Sequence, residues 1–511
     1  MPQYLSPGVY VEEVERGARP IEGVGTAVAA FVGFAQKGPA NQPIFIANWT
    51  QFVNTFGGFI PGGYLAHAVY GYFNNGGGSC YVARLPGGEG AGVAASLPAR
   101  AEPTLESLVI TALEPGASAG EITVDVAAPA EGAPEDQFTL IIRRRDSKEV
   151  FENVTLRKGR GVRNAVEVVN KESKLVRVAE KESTLSLAER TPAPGTYPLV
   201  SAPGTAIVEV KPELIVGDSA ARTGVAGFEI AEDVTMVCAP DLMALYQARK
   251  LSMDGVKAVQ QAMLDHCAKM KDRFAILDCP PGMNPQQIKD WRMKETGYDS
   301  KYGALYYPWI KVANPLGDGE TVPVPPSGHM AGIYARSDTE RGVHKAPANE
   351  IVRGALGLEL KVTKSEQDSL NPVGINCIRA FPGRGIRVWG ARTISSDAQW
   401  RYINVRRLFN FIEESIELGT QWVVFEPNDR DLWERIKRDI TAFLTRVWRD
   451  GALFGATPDE AFYVKCDDEL NTVEVRDAGQ VIVEIGLAPV KPAEFVIFRI
   501  SQWAGGAAVA E

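Results

Sequence analysis

None of the 6 cysteines of this 511-residue chain (Cys80, Cys238, Cys267, Cys279, Cys377, Cys466) forms a C-x-x-C pair, and most sit in apolar strand-like runs such as "VTMVCAP" and "FAILDCPP". That scatter excludes a disulfide framework and argues for reduced, small core residues. Neighbouring His266 and Cys267 would project about 100° apart on a helix, so they do not converge on an ion. A basic excess is missing as well. With a net charge of -9 and a pI near 5.3, nothing is available to neutralise phosphates globally, and no direct nucleic-acid contact is expected. Long apolar runs are also lacking: "TAVAAFVGFA" is about half the length of a membrane span. The opening "MPQYLSPGVYVEEV" has neither a basic nor an apolar signal region. These absences predict a chain made and folded in the cytosol, without membrane insertion, metal or cofactor.

What is present is the composition of a folded protein, 45% hydrophobic and 23% charged, and long enough for roughly two to four domains. From Ile21 to about Leu85, apolar runs alternate with glycine-rich turns and a helical "YLAHAVYGYFNNGG", an α/β beginning. The pattern resumes after residue 204 with "TMVCAPDLMA", the helical "VKAVQQAMLDHCAKMKD", the strand "RFAILDCP" and the helical "NPQQIKDWRMKET". Residues 21–85 and 205–375 are therefore read as one α/β core, and 376–490 as an α+β lobe. Between them, residues 86–204 carry short alternating segments such as "EITVDVA" and "FTLIIRRR". All 9 tryptophans lie outside this stretch, whose only aromatics are Phe138, Phe151 and Tyr197. It is expected to be an inserted, β-rich outer domain with a thin core.

The stretch "VPPSGHMAGIYARSDTERGVHKAPANE" brings Ser327, His329, Asp338 and His344 close in sequence and poses the question of a hydrolase. Pro325 and Pro326 followed by Ser327 predict a helix N-cap at Ser327, its hydroxyl occupied by backbone N–H groups, with Gly342 as the stop. Along that helix His329 and Asp338 would be about half a turn and roughly 13 Å apart, too far to meet. No G-x-S-x-G elbow exposes a serine. Two glycine-rich stretches, "NNGGGSCYV" and "FPGRGIRVWG", lack the lysine or third glycine of nucleotide loops and read as tight turns.

The termini carry a sharper signal. "SPGVYVEEVERG" is a turn followed by an extended run, and "AEFVIFRISQW" puts Phe495 and Ile497 on one strand face and Val496, Phe498 and Ile500 on the other. A strand apolar on both faces requires burial on both. At chain ends this is met by strand addition between neighbouring copies, or by completion of the chain's own sheet. A further periodic pattern lies in "DRDLWERIKRDITAFLTRVWRDG". On a helical wheel Leu432, Ile436, Ile440, Phe443, Leu444 and Val447 share one arc. Arg435, Arg438, Arg446 and Arg449 share nearly the opposite one, with Asp431 and Asp439 nearby. The arginine face is either a binding stripe or an ordinary solvated surface.

Over "SPGVYVEEVERGARPIEGVGTAVAAFVG", "YYPWIKV", the Ser327 stretch, "RGIRVWGART", "WRYINVRRLFNFIEESI", "QWVVFEPND", "LWERIKRD" and "PVKPAEFVIFRI", the sequence resembles the contractile tail sheath proteins of myophages and phage-tail-like injection systems. The resemblance implies a non-enzymatic, metastable subunit stacked in hexameric rings around an inner tube and driving that tube through a target envelope. It implies a subtilisin-like α/β central domain without proteolytic chemistry. It implies terminal arms, residues 1–20 and 491–511, that share β-sheets with neighbouring subunits. Val9, Tyr10 and Val11 would belong to the amino arm, and Phe495, Val496, Ile497 and Phe498 to the carboxyl arm. The arginine face would contact the inner tube. Partners would be further copies, the inner tube protein, and baseplate and terminal cap proteins, in a phage tail or a related particle assembled in the bacterial cytoplasm and released from it in some systems. Two other classes remain open at this level: a serine hydrolase on a subtilisin-like fold, and a static self-assembling shell protein.

Overall fold

The computed structural model describes residues 20–86, 93–113, 122–127, 134–144, 147–159, 162–181, 183, 185–201, 210–317 and 319–500. They form a mixed α/β chain of two compact units.

The larger unit comprises residues 27–336 and 348–395. Its main sheet has eight strands in the order Gly385–Val388, Ile375–Phe381, Gly303–Tyr307, Phe274–Asp278, Met236–Cys238, Val28–Gly33, Ser79–Arg84 and Ile44–Ile46. The six inner strands pair in parallel and the two outermost antiparallel. Continuous apolar runs such as Phe274–Asp278 are buried throughout, as a parallel sheet covered on both faces requires. Helices Leu65–Asn74 and Met253–Met270 belong to this unit. The second starts at Ser252, whose side chain accepts from Gly255 N, and stops at Lys271 in the left-handed conformation.

At the carboxyl end of Met236–Cys238 lies Asp241, wholly buried. It accepts the backbone N–H of Phe34 at 2.6 Å and that of Tyr64, tying the ends of two sheet connections together. Burial pushes its carboxyl up to about 6, against the lowering effect of those bonds.

Two four-stranded antiparallel sheets lie between residues 93 and 201 and enclose a single core. That core is mainly aliphatic, from Leu97, Leu108, Ile122 and Val124 to Val154 and Leu199, with Phe138 and Phe151 the aromatics fully within it.

The smaller unit gathers residues 20–26, 337–347 and 396–500. Helices Ile403–Gly419 and Arg430–Arg449 pack through Leu408, Ile412, Ile436, Ile440, Phe443 and Leu444. Asp429 caps the second helix by accepting from Leu432 N at 2.9 Å. A hairpin of Phe462–Lys465 and Glu484–Leu487 completes the unit.

Three boundaries differ from the sequence reading. Strands Ile375–Phe381 and Gly385–Val388 complete the large sheet, so the carboxyl-terminal lobe starts at 396 and not at 376. Residues 21–26 leave the α/β core for the smaller unit because Ile21 is fully buried in its hydrophobic cluster. Residues 337–347 do the same, with Val343 in that cluster. Among the described residues no helix is long and apolar enough to cross a membrane.

Candidate assembly surfaces

Of the would-be hydrolase residues, Ser327 and His329 are buried in the larger unit, whereas His344 is only partly buried and belongs to the smaller one. Ser327 is the first residue of helix Ser327–Arg341 and not its N-cap: its hydroxyl donates to Asp278 Oδ2 at 2.6 Å and its N–H to Asp278 Oδ1 at 2.8 Å. As the first helical residue, Ser327 has no intrahelical acceptor for its N–H, and the carboxylate at the end of strand Phe274–Asp278 accepts from both of its donors. The pair is fully buried, and desolvation pushes the Asp278 carboxyl up to about 7.

His329 fills a notch at Gly71, where a Cβ would come within 2.3 Å of the ring, and burial beside His67 pushes it down to about 3. Its Nδ1 has no partner among the described residues. Asp338 is committed to Arg407. A base must reach a nucleophile that is itself open to substrate, and Ser327 is 0% exposed.

The amino-arm residues Val9, Tyr10 and Val11 lie outside the described residues. The carboxyl-arm residues stand free: Phe495, Val496, Ile497 and Phe498 are 71%, 69%, 80% and 82% exposed, and residues 491–500 form no regular structure. The segment is secured just before them. Tyr402 OH donates to Glu494 Oε2 at 2.9 Å, and Asn404 Nδ2 donates to Val490 O at 3.2 Å. The hairpin Phe462–Lys465/Glu484–Leu487 has two strands only, so neither outer edge meets a further strand among the described residues.

All six apolar wheel positions of Arg430–Arg449 are buried, and all four arginines are exposed. The arginines are not equivalent. Arg435 lies 4.5 Å over the Trp422 ring and 3.6 Å from Glu426, bracing a loop on which Phe425, at φ +68°, is fully exposed. Arg438 pairs at 3.1 Å with Asp439, which is buried at its foot. Arg446 donates to Ile21 O. Arg449 is exposed. The wheel identifies the face; it does not register that Arg435, Arg438 and Arg446 each have a partner within the chain.

Helical spacing alone also misses the buried pair Arg407–Asp338, joined by Thr26 Oγ1 at 2.7 Å from Asp338 Oδ2. A signal for it exists in "INVRRLFNF", where two arginines fall among core positions of an apolar helix face.

This is a multidomain α/β chain with an exposed apolar carboxyl-terminal segment. Residues 226–394 match the phage tail sheath protein central domain and residues 395–502 the phage tail sheath C-terminal domain, together more than half of the chain. The chain belongs to the contractile tail sheath family.

A putative prophage major tail sheath protein of Pseudomonas aeruginosa (strain UCBPP-PA14) is 29% identical over 269 residues, covering 50% of this chain and 66% of the relative. The tail sheath protein of Vibrio phage KVP40 is 29% identical over 177 residues, 34% of this chain and 26% of the relative. The aligned part of this chain thus spans less than the full length of both curated relatives. The sheath complex of an extracellular contractile injection system, PVC, in its contracted state superposes with a TM-score of 0.59 at 25% identity, covering 99% of each chain.

Proposed function

We propose that this chain is a structural subunit of a contractile sheath, stacked in hexameric rings around an inner tube and shortening to drive that tube through a target envelope. The observation that carries the reading is the end-to-end likeness to a sheath protein of a contracted injection system, covering 99% of both chains. The central α/β region serves as a subtilisin-like scaffold without proteolytic chemistry; the commitment of Ser327 to Asp278 supports that. The subunits link through residues 1–20 and 491–511, Val9, Tyr10 and Val11 adding strands from one arm and Phe495, Val496, Ile497 and Phe498 from the other. Exposed apolar side chains at 495–498 support this, since unpaired they are an aggregation liability.

The exposed arginine face of Arg430–Arg449 grips the inner tube, while baseplate and terminal cap proteins close the two ends. Assembly in the bacterial cytoplasm traps an extended lattice, and its release needs no nucleotide, cofactor or enzymatic step. The test is co-expression with the tube and baseplate proteins of the same particle, followed by electron microscopy. A contractile sheath yields two lattices, extended and contracted; a single lattice under all triggers identifies a static shell. Labelling of the pure chain by a fluorophosphonate would identify a serine hydrolase instead.

A further inference from the structure

The start of the described chain runs against one ridge of helix Ile403–Gly419, and the ridge residues recur every four positions: 407, 411, 415 and 419. Residues four apart lie one above another on a helix. At one end Arg407 Nη2 donates to Thr26 O at 2.8 Å. In the middle Gly23 lies on the Phe411 ring, where a Cβ would come within 2.8 Å, and Val24 N donates to Ser415 Oγ at 3.1 Å. Ser415 is itself fully buried and donates to Phe411 O at 2.6 Å, so its lone pair is aimed at Val24. At the far end Ile21, 0% exposed, packs on Gly419, where a Cβ would come within 2.7 Å of it. Arg446 of the next helix donates to Ile21 O from the other side.

The two lengths agree. A helix advances about 18 Å over twelve residues, and five residues of nearly extended chain span about 17 Å. Residues 21–26 are therefore laid antiparallel along the helix without slack.

We infer that this ridge is a rail that fixes where the N-terminal segment leaves the subunit, so that Phe411, Ser415, Gly419 and Arg446 are positioning residues for assembly. The inference rests on the reading of residues 1–20 as a linking arm. An arm has to meet its acceptor strand on a neighbouring subunit, and each residue of slack at its root widens the volume it searches and lowers the effective concentration of its tip. Anchoring through Thr26, Val24 and Ile21 fixes the root of the segment at residues 21–26. On this assignment Arg446 acts on the arm and not on the tube. A cleft of about 670 Å³, lined in part by Val24, Phe411, Arg446 and Asp450, leaves one side of the segment open, so the Val24 amide depends on Ser415 for its protection.

The experiment compares Ser415→Val and Gly419→Leu with the unaltered full chain by amide hydrogen exchange, thermal unfolding and electron microscopy of self-assembled, tube-free sheath. Ser415→Ala and Gly419→Ala are the smaller changes to use if either variant fails to fold. The expected result is exchange at residues 21–26 faster by about five- to tenfold, the factor for roughly one lost hydrogen bond. An unshifted main unfolding transition and loss of long sheaths should accompany it. Arg446→Glu should also abolish tube-free sheath, whereas Arg446→Lys, which still donates, should restore it. Unchanged exchange, or faster exchange with normal sheath length, overturns the rail. A separate deletion of residues 1–19 tests the arm reading: long sheaths from that deletion defeat the arm, while the exchange measurement on the full chain still reports whether residues 21–26 are held.

Discussion

Arg407 grips Asp338 through both guanidinium nitrogens, at 2.9 and 2.6 Å, with each side chain only 3% exposed. The same guanidinium holds Thr26 O, and Thr26 Oγ1 returns a bond to Asp338, closing a three-residue polar ring inside the smaller unit. Breaking one partner leaves the other charge buried and uncompensated. Arg407→Leu should therefore cost about 3–5 kcal/mol, whereas Asp338→Asn, which keeps an acceptor, should cost less. Urea unfolding of the purified subunit measures both. Equal losses would show that the charge of Asp338, and not its acceptor geometry, carries the pair.

The sealed polar core of the larger unit predicts a dependence on pH. Asp278 and Asp241 are pushed up to about 7 and about 6 by burial, so between the ordinary carboxylate range and those values the folded state holds more protons than the unfolded chain. Their contribution is greatest below about pH 4 and is lost as pH rises through 6 to 7. His329 and His67, pushed down to about 3 and about 4, act oppositely: their contribution is complete above about pH 6.5 and is lost as pH falls through 4 and 3. In Asp278→Asn the first effect is reduced. Relative to the unaltered chain, the variant should gain stability steadily from pH 4 to 7 and level off above, as followed by unfolding midpoints across that range. Parallel profiles would contradict the raised carboxyl.

The carboxyl arm should be an assembly element without a role in the subunit's own stability. Changing Phe495 and Ile497 together to Asp removes apolar groups that are 71% and 80% exposed, so unfolding free energy should move by no more than about 0.5 kcal/mol. Sheath formation should be lost. Long sheaths from the double variant would remove these residues from the linkage.

The arginine face now divides into testable parts. Arg438→Glu with Arg449→Glu should leave folded subunits that form only contracted, tube-free sheath, because each contact is worth roughly 0–1 kcal/mol and strength comes from repetition around the ring. Binding of the unaltered sheath to its tube should weaken as salt rises. Arg435→Ala should in addition lower stability by about 0.5–1 kcal/mol through loss of its stacking on Trp422. Normal extended particles from the double reversal would leave Arg438 and Arg449 as solvated charge.

The Gly/Pro-rich borders of the insertion make a further deletion informative. Because residues 93–201 enclose their own hydrophobic core, replacing 86–204 by a short Gly/Ser linker should spare both assembly and contraction, as scored by electron microscopy. Loss of all tube-bound sheath would make the insertion a lattice contact.

Much of this architecture is legible without coordinates, because it rests on patterns that a few consecutive residues complete. The buried strand Phe274–Asp278, the helix Met253–Met270 with Ser252 before it, and the apolar arc from Leu432 to Val447 each follow from apolar spacing and a capping side chain. The exposed apolar run at 495–498 was equally visible, since nothing nearby in the sequence could cover both of its faces. Other features needed the folded chain. Ser327 reads as an N-cap until Asp278, 49 positions earlier, is seen to take its hydroxyl. Arg446 reads as one of four like charges until the carbonyl of Ile21, 425 positions away, arrives beside it. Periodicity determines which face of a helix is apolar, because burial is a property of spacing along one element. Which distant polar group meets an arginine or a serine is decided only by tertiary packing, where any of many donors and acceptors would satisfy the same local pattern and the backbone path selects one.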